Sequence, residues 1–500
     1  LMDKKAKTSS TRVKSPVRGR TLRSPPPTRR TAPPQRENPP KTKRSADESK
    51  VKKPCPRSAK SPTCQRPNGP EPHKNRKARS PTRKPEAGAH PTRGGCRTAS
   101  AGAAPGARSP PAAKAERPGV RGQTAAVEKI LLSVLDNLKI RKPAISESTN
   151  KVNDVVDGII KHLKSHTSEY FSQIEKLPTG SYYENVKISE PDEFDVMLTV
   201  PVQRVEIQQF DTTGAFYSVA FKRNPQRNPL QRFVLSGGTI SANGMLSEFR
   251  SQVKQATETM PGKGVQLERK KRGSPAVTLA VNENRRVISV DIVLGLKVHM
   301  QSWPSCTKDG FNIDSWLGTK VKRDFKIAPF YLVPKYTGKG SDEKDGICAK
   351  GNIYAWRISF SHVEKGILKN HGSAKTCCES GGSQCCRKQC LKLLKHLLQK
   401  LKEAHPKELS KFFSYQAKTT LLHACVKRPK DSDWEKGNLS TCFDLLLQDF
   451  IQYLDLGKLP HFFIPTYNLL DSGCDSKSMK SLIQYIRYEQ NNMFPIFCER

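Results

Sequence analysis

Acidic residues are in short supply. The 500-residue chain carries 46 Asp+Glu against 87 Lys+Arg, a formal net charge of +41. A chain this basic needs a polyanionic partner, either nucleic acid or an anionic membrane surface. Apolar residues are scarce too, at 35% hydrophobic and 7% aromatic, low for a chain folded from end to end. No run approaches the roughly 18 apolar residues of a spanning helix, and no apolar segment follows the basic N-terminus. Neither a membrane span nor a secretory leader is expected. The 14 cysteines are therefore expected as thiols in a reducing compartment. The chain opens Leu1-Met2, so position 1 is not taken as a native start.

Scarcity is greatest at the N-terminus. Residues 1–125 contain no Phe, Tyr, Trp or Ile, hold 21 of the 37 prolines, and carry 32 Lys+Arg against 7 Asp+Glu. Such a segment cannot bury enough apolar surface to offset chain entropy. A disordered tail with local polyproline II character is expected, binding phosphates without sequence preference by counterion release. Ser15-Pro16, Ser24-Pro25, Ser61-Pro62, Ser80-Pro81 and Ser109-Pro110 have the form of kinase sites, and Lys41-Thr-Lys-Arg44 that of a nuclear-import signal.

What remains is patterned for folding. Val127, Ile130, Leu131, Val134, Leu135 and Leu138 follow helical spacing, as do Val152, Val155, Val156, Ile159, Ile160 and Leu163. Pro143 should interrupt the chain between them. Strand alternation follows at Phe194–Val200 and Ile288–Leu294. Cys390–Leu401, Leu445–Leu454 and Met479–Tyr488 return to helix. The order predicts an α+β fold in three parts. These are the tail (1–125), a core with a spine helix (126–300) and a helical C-terminal lobe (301–500).

Chemistry concentrates at Thr179-Gly180-Ser181-Tyr182-Tyr183, then Glu193-Phe194-Asp195, then Asp291 on a later strand. Strand period two places Glu193 and Asp195 on one face, with Phe194 turned into the core. Two like charges there require something positive between them. Asp291 stands in an apolar strand, which is costly unless it is paired or metal-bound. Three carboxylates can hold two divalent ions, Mg²⁺ or Mn²⁺, that activate a hydroxyl and steady a leaving pyrophosphate. Gly180-Ser181 offers close backbone approach and a hydroxyl to a triphosphate. This order of motifs resembles the nucleotidyltransferase superfamily of polymerase-β-like enzymes.

A second cluster lies within 20 residues: His371, Cys377, Cys378, Cys385, Cys386 and Cys390. Mixed His/Cys ligation at short spacing suits one tetrahedral Zn²⁺; spacing alone does not separate Cys385 from Cys386 as the fourth ligand. In the following helix Lys388, Lys392 and Lys395 recur as a basic stripe, and Lys139 and Lys142 flank the first helix break. Together they read as a phosphate-tracking surface, sensitive to shape and not to base sequence. Arg357, Ser359 and Ser361 alternate on one face, and an arginine suits a phosphate or a guanine edge.

The wording of the chain narrows the resemblance. Thr179–Ser189, Glu193–Val196, Phe221–Pro225, Gly273–Thr278 and Pro329–Pro334 are similar to the vertebrate cyclic-dinucleotide synthases of that superfamily, over roughly residues 127–500. The resemblance implies a double-stranded-DNA-activated enzyme joining ATP and GTP into 2′,3′-cyclic GMP-AMP. Such an enzyme would serve innate immunity in cytosol and nucleus, and its product would act on the adaptor STING. It implies catalysis by Glu193, Asp195 and Asp291, and a zinc thumb (371–385) on His371, Cys377, Cys378 and Cys385. It directs Thr179, Arg357, Ser359, Ser361 and Glu364 toward the guanine nucleotide, and Ser414 toward ATP phosphates. Lys395 is assigned there too, although it also belongs to the stripe. Tyr415 would stack on a base. Lys139, Lys142, Lys388 and Lys392 would contact DNA, and Lys375 and Glu379 a second protomer in a 2:2 assembly. The tail would reach nucleosomes or the inner face of the plasma membrane. The stretch Tyr336–Lys350 is longer than that family leads one to expect and reads as a surface loop. Two other readings are an RNA-activated oligoadenylate synthetase, disfavoured by the His/Cys insertion, and a non-catalytic chromatin scaffold, disfavoured by the complete carboxylate set.

Overall fold

The computed structural model describes residues 118–498 apart from 141, 168, 189, 191, 224–227, 261–263, 272–273, 284–285, 301, 337–353 and 472. The expected disordered tail therefore lies outside the described residues, except for its last few positions. So does nearly all of the expected surface loop after Tyr336.

In chain order the elements are α1 (Pro118–Asn137), α2 (Lys142–His166), β1 (Glu175–Thr179), α3 (Gly180–Tyr183), β2 (Glu193–Val202), β3 (Val205–Gln209) and β4 (Phe216–Phe221). Next come α4 (Ala242–Glu258), β5 (Val265–Leu267), β6 (Ala276–Glu283), β7 (Arg286–Val298), α5 (Thr319–Ile327), β8 (Phe330–Tyr336) and β9 (Tyr354–Ser359). Helices α6 (Ser361–Lys369), α7 (Arg387–Ala404), α8 (Pro406–Leu409), α9 (Ser414–Lys427), α10 (Leu439–Asp455) and α11 (Ser476–Asn491) complete the chain. Pro143 sits in the first turn of α2, where its missing N–H costs nothing.

Among the described residues nine strands form one mixed sheet, ordered β1-β2-β7-β8-β9-β4-β3, with β6 also on β7 and β5 on β6. Among the described strands only the β2–β7 pairing is parallel. The sheet draws strands from both sides of residue 300. One face is built by Phe194, Val196, Leu198 and Val200 of β2 with Val290, Ile292, Leu294 and Leu296 of β7, all buried. Val152, Val155, Val156 and Ile159 of α2 and Phe249 of α4 belong to the same core. The opposite face carries Glu193, Asp195, Asp291 and a small apolar patch of Met197, Tyr331 and Val333. The C-terminal helices bury Leu393, Leu394, Leu397 and Leu401 of α7 with Phe443, Leu446, Leu447 and Phe450 of α10. The architecture is α+β, with a mixed sheet and a helical C-terminal part. Among the described residues no helix is long and apolar enough to cross a membrane.

Candidate functional site

Sheet register assembles the first site. Thr179 lies opposite Asp195, Asp195 opposite Asp291, and Asp291 opposite Thr278. Four strands thus set these residues in one row, and alternation puts Glu193 on the same face as Asp195. Gly180 follows at φ +81°, where a Cβ would stand 2.0 Å from Asp195 Oδ2. Only glycine lets the chain pass that close in that conformation. Burial first, then the charges of Glu193 and Asp291, raise the Asp195 carboxyl to about 6. Its neighbours have partners of their own. Glu193 accepts from Lys187 Nζ at 2.8 Å, and Asp291 from Thr278 Oγ1 at 2.6 Å. Buried Lys187 is the positive group that the carboxylate pair required, and no spacing marked it in the sequence. Carboxylates sharing one face are the donor type that divalent cations take; among the described residues the one group whose ligand atoms already converge within 4.8 Å is the His/Cys set of the 371–385 loop.

A cavity of about 750 Å³ opens beside Asp195, walled by Thr179, Gly180, Arg357, Ser359, Ser361, Glu364 and Tyr415. A second, of about 610 Å³, is walled by Ser181, Glu193, Lys395 and Ser414. One expectation is corrected here. The strand carrying Arg357 and Ser359 stops at Ser359, and Ser361 opens α6. Ser361 stays in reach because the helix starts back toward the cavity, with Ser359 and Ser361 hydroxyls 3.3 Å apart. The Arg357 guanidinium lies over the Tyr467 ring, 5.4 Å from its centre.

Lys395 corrects the stripe. It shares the helix face of Lys388 and Lys392 but is buried, donating to Val186 O at 2.7 Å. Lys395 sits mid-way along α7 beside the segment Glu184–Lys187, and burial lowers its ammonium to about 8.

The cavity floor holds groups that the sequence did not reveal. Lys418 Nζ bridges Glu184 at 2.8 Å and Glu364 at 3.0 Å. The Tyr415 hydroxyl donates to Glu364 at 2.8 Å and lies 2.9 Å from His461 Nε2. Burial alone would raise Glu364, but the Lys418 charge, then the bonds from Lys418 and Tyr415, hold it below its ordinary range. These partners come from the residue after α3, from α6 and α9, and from the segment after α10, too far apart in sequence for any local pattern to link them.

The His/Cys loop closes on a third site. Ligand atoms of His371, Cys377, Cys378 and Cys385 all lie within 4.8 Å of one another. The Sγ separations of 3.9 Å (Cys377 to Cys378) and 3.7 Å (Cys378 to Cys385) match the edge of a tetrahedron, about 3.8 Å for Zn–S bonds of about 2.3 Å. Cys386 instead faces Cys390, Sγ to Sγ 3.8 Å, in the interior. His371 Nδ1 lies 3.0 Å from Leu368 O, while its buried Nε2 lacks a hydrogen-bond partner. Burial lowers the imidazole to about 4, leaving it neutral as a ligand must be. A metal ion fits this donor set. Gly372 makes room, since a Cβ there would meet Cys377 Cβ at 2.0 Å. Asp431 anchors the loop by accepting from Ser373 N and Ala374 N, both at 2.9 Å, and from buried Arg387 at 2.7 Å. Lys375 and Glu379 are exposed on the loop.

Lys139 and Lys392 line a groove of about 450 Å³ together with Lys187, Lys369, Tyr182, Tyr183 and Asn185. Lys388 is half-buried one turn before Lys392. Lys142 begins α2, and its side chain lies outside the described residues. Lys369 was missed because a lysine closing a helix reads as a dipole partner.

Residues 182–370 match the Mab-21 protein nucleotidyltransferase domain, and residues 386–488 the Mab-21 protein HhH/H2TH-like domain. The chain is 49% identical over 368 residues to cyclic GMP-AMP synthase of Mus musculus, spanning 73% of this chain and 70% of that protein. It is 45% identical over 370 residues to cyclic GMP-AMP synthase of Sus scrofa, spanning 73% and 72%. Sheet register, carboxylate row and these matches agree: the chain is a nucleotidyltransferase and belongs to the cyclic GMP-AMP synthase family.

Proposed function

We propose that double-stranded DNA activates this enzyme to join ATP and GTP into 2′,3′-cyclic GMP-AMP. The observation that carries the reading is the row Thr179, Asp195, Asp291 beside a cavity floored by Glu364 and Tyr415. Arg357, Ser359, Ser361 and Glu364 orient one purine nucleotide, Tyr415 offers a stacking ring, and Ser181, Lys395 and Ser414 hold the triphosphate of the other. A ribose hydroxyl attacks the α-phosphorus; the new P–O bond forms as the bond to the β-phosphate oxygen breaks, and pyrophosphate leaves. Asp291 receives the hydroxyl proton or stands beside the group that does. The same chemistry, repeated on the linear dinucleotide, closes the ring and releases a second pyrophosphate. Two Mg²⁺ or Mn²⁺ ions on Glu193, Asp195 and Asp291 would supply charge stabilisation for both oxygens in each displacement.

Lys139, Lys142, Lys388 and Lys392 track the DNA backbone, and Lys187 joins that groove to Glu193. A structural Zn²⁺ on His371, Cys377, Cys378 and Cys385 would fix the loop beside the groove. Lys375 and Glu379 meet a second protomer, giving two chains on two duplexes. Residues 1–125 tether the enzyme to nucleosomes or anionic membrane. The setting is cytosol and nucleus, in antiviral defence through STING. The deciding experiment incubates the full chain with ATP, GTP, Mg²⁺ and either DNA or RNA duplexes, with mass spectrometry of the products. A cyclic AMP–GMP dinucleotide formed with DNA alone is expected; 2′-linked oligoadenylates formed with RNA would replace this reading.

A further inference from the structure

The reaction brings two purine nucleotides together, yet the reading above supplies one stacking ring, Tyr415. A second aromatic ring lies two residues away. Phe413 is 54% exposed and forms part of the wall of both cavities, the one holding Asp195 and the one holding Glu193, Lys395 and Ser414. A single exposed phenylalanine is unremarkable on a protein surface. One that lines two cavities at once, each also walled by charged or hydroxyl side chains, is placed for a ligand that reaches both.

The backbone beneath it is fixed. Phe412 is fully buried, and its carbonyl accepts from Lys402 Nζ at 2.8 Å. Phe413 N–H donates to Gln416 Oε1 at 3.1 Å, and Gln416 N–H returns to Phe413 O at 3.0 Å, which caps α9. The Lys402 ammonium lies 5.1 Å from the ring centre. A cation over one face leaves the other for a flat, electron-rich partner. We propose that Phe413 is a nucleotide-binding residue, stacking on the purine base of one of the two substrates. The inference rests on the proposed function and adds the second base platform to it.

The test uses the full chain with duplex DNA and Mg²⁺. ATP is varied at saturating GTP, and then the reverse. Phe413→Ala is expected to raise KM for one nucleotide by roughly tenfold, in line with stacking on aromatic side chains, leaving the other KM unchanged; which one moves identifies the base. Phe413→Tyr should restore the wild-type value and Phe413→Leu should not, because a flat ring is needed and not mere bulk. Unchanged KM values in the alanine variant, or full rescue by leucine, would overturn the assignment. A binding readout separates this from the proposed function. The chain's 4 tryptophans are all buried, so fluorescence of Phe413→Trp should be quenched by ATP–Mg²⁺ or GTP–Mg²⁺ well beyond any change in wild type. Absence of that quench overturns the assignment even if cyclic product forms. Quench without cyclic product would keep Phe413 as a nucleotide platform and overturn the proposed product instead.

Discussion

Lys187 Nζ and Glu193 Oε2 form an ion pair of 2.8 Å where the basic groove meets the carboxylate face. Lys187 is buried and also approaches Asp192 at 3.5 Å. It therefore belongs both to the groove and to the carboxylate face, the two surfaces that the proposed activation would couple. Replacing it with methionine keeps the stem and removes the charge. Mn²⁺ should then bind the DNA-free protein severalfold more tightly, because Glu193 is released, while DNA binding weakens. Electron paramagnetic resonance titration of Mn²⁺ and a parallel DNA-binding isotherm check both directions.

Gly180→Ala should abolish turnover while the protein stays folded. The new methyl would fall on the Asp195 carboxylate, and the left-handed backbone costs a non-glycine residue about 1–2 kcal/mol. A kcat loss of roughly a hundredfold or more is expected, for geometry lost at the reacting centre. Thermal unfolding of the variant would show whether the fold persists.

Breaking the anchor of the His/Cys loop should unfold it locally. Asp431→Ala takes away the counter-charge of buried Arg387 and leaves it the Pro429 and Lys430 carbonyls; removing one partner of a buried pair costs about 3–5 kcal/mol. A lower melting temperature and faster loss of bound zinc to a chelator are expected, the zinc being measured by mass spectrometry. His371→Ala or Cys377→Ala should lose the zinc outright and with it DNA-stimulated activity. Deleting residues 1–125 should weaken DNA binding but leave stimulation intact.

Lys395 sets a pH dependence. Burial first, then Lys418 and Lys187, lower its ammonium to about 8, against the opposing pull of Glu184 and Glu193. The charge that would meet a phosphate is present below that value and lost above it. KM for the triphosphate should therefore climb between about pH 7 and about pH 9, and Lys395→Arg, always charged, should flatten the climb. Stability runs the same way as deprotonation. The folded value lies below the unfolded one, so burying the charged form costs most at low pH, and that cost is relieved from about pH 8 to about pH 10.4.

Lys388→Ala with Lys392→Ala removes one cation of the groove and one from the helical turn before it. The slope of log affinity against log salt should flatten by roughly two units. An unchanged slope would place DNA elsewhere.

Much of this was readable in residue order. The Glu193/Asp195 pair, the lone Asp291 and the His/Cys cluster are local patterns whose chemistry does not depend on the rest of the fold. Strand alternation foretold that Phe194 would turn inward and the carboxylates outward. What stayed hidden depends on contacts between distant segments. Lys418 looks like any helical lysine until Glu184 and Glu364 close on it. Lys395 looks like a member of a surface stripe until Val186 and its neighbours Glu184 and Lys187 close on it. Helix α9 passed unnoticed for a related reason: it buries Gln416, Ala417, Thr419, Thr420, Leu421, Leu422, Ala424 and Cys425 around most of its circumference, which blurs the single apolar stripe that periodicity detects.

The pairing of Asp195 with Asp291 across two parallel strands has a consequence for how this chain can change over generations. Side chains alternate along β2, so an inserted or deleted codon between Glu193 and Val200 would swap faces for every later residue of that strand. Placed before Val196, it would move Met197 from the patch it shares with Tyr331 and Val333 to the face packed on α2 and α4, and turn Val196 and Leu198 onto the carboxylate face. Length variation should therefore accumulate between elements and be absent from this strand, where one frame serves both folding and chemistry.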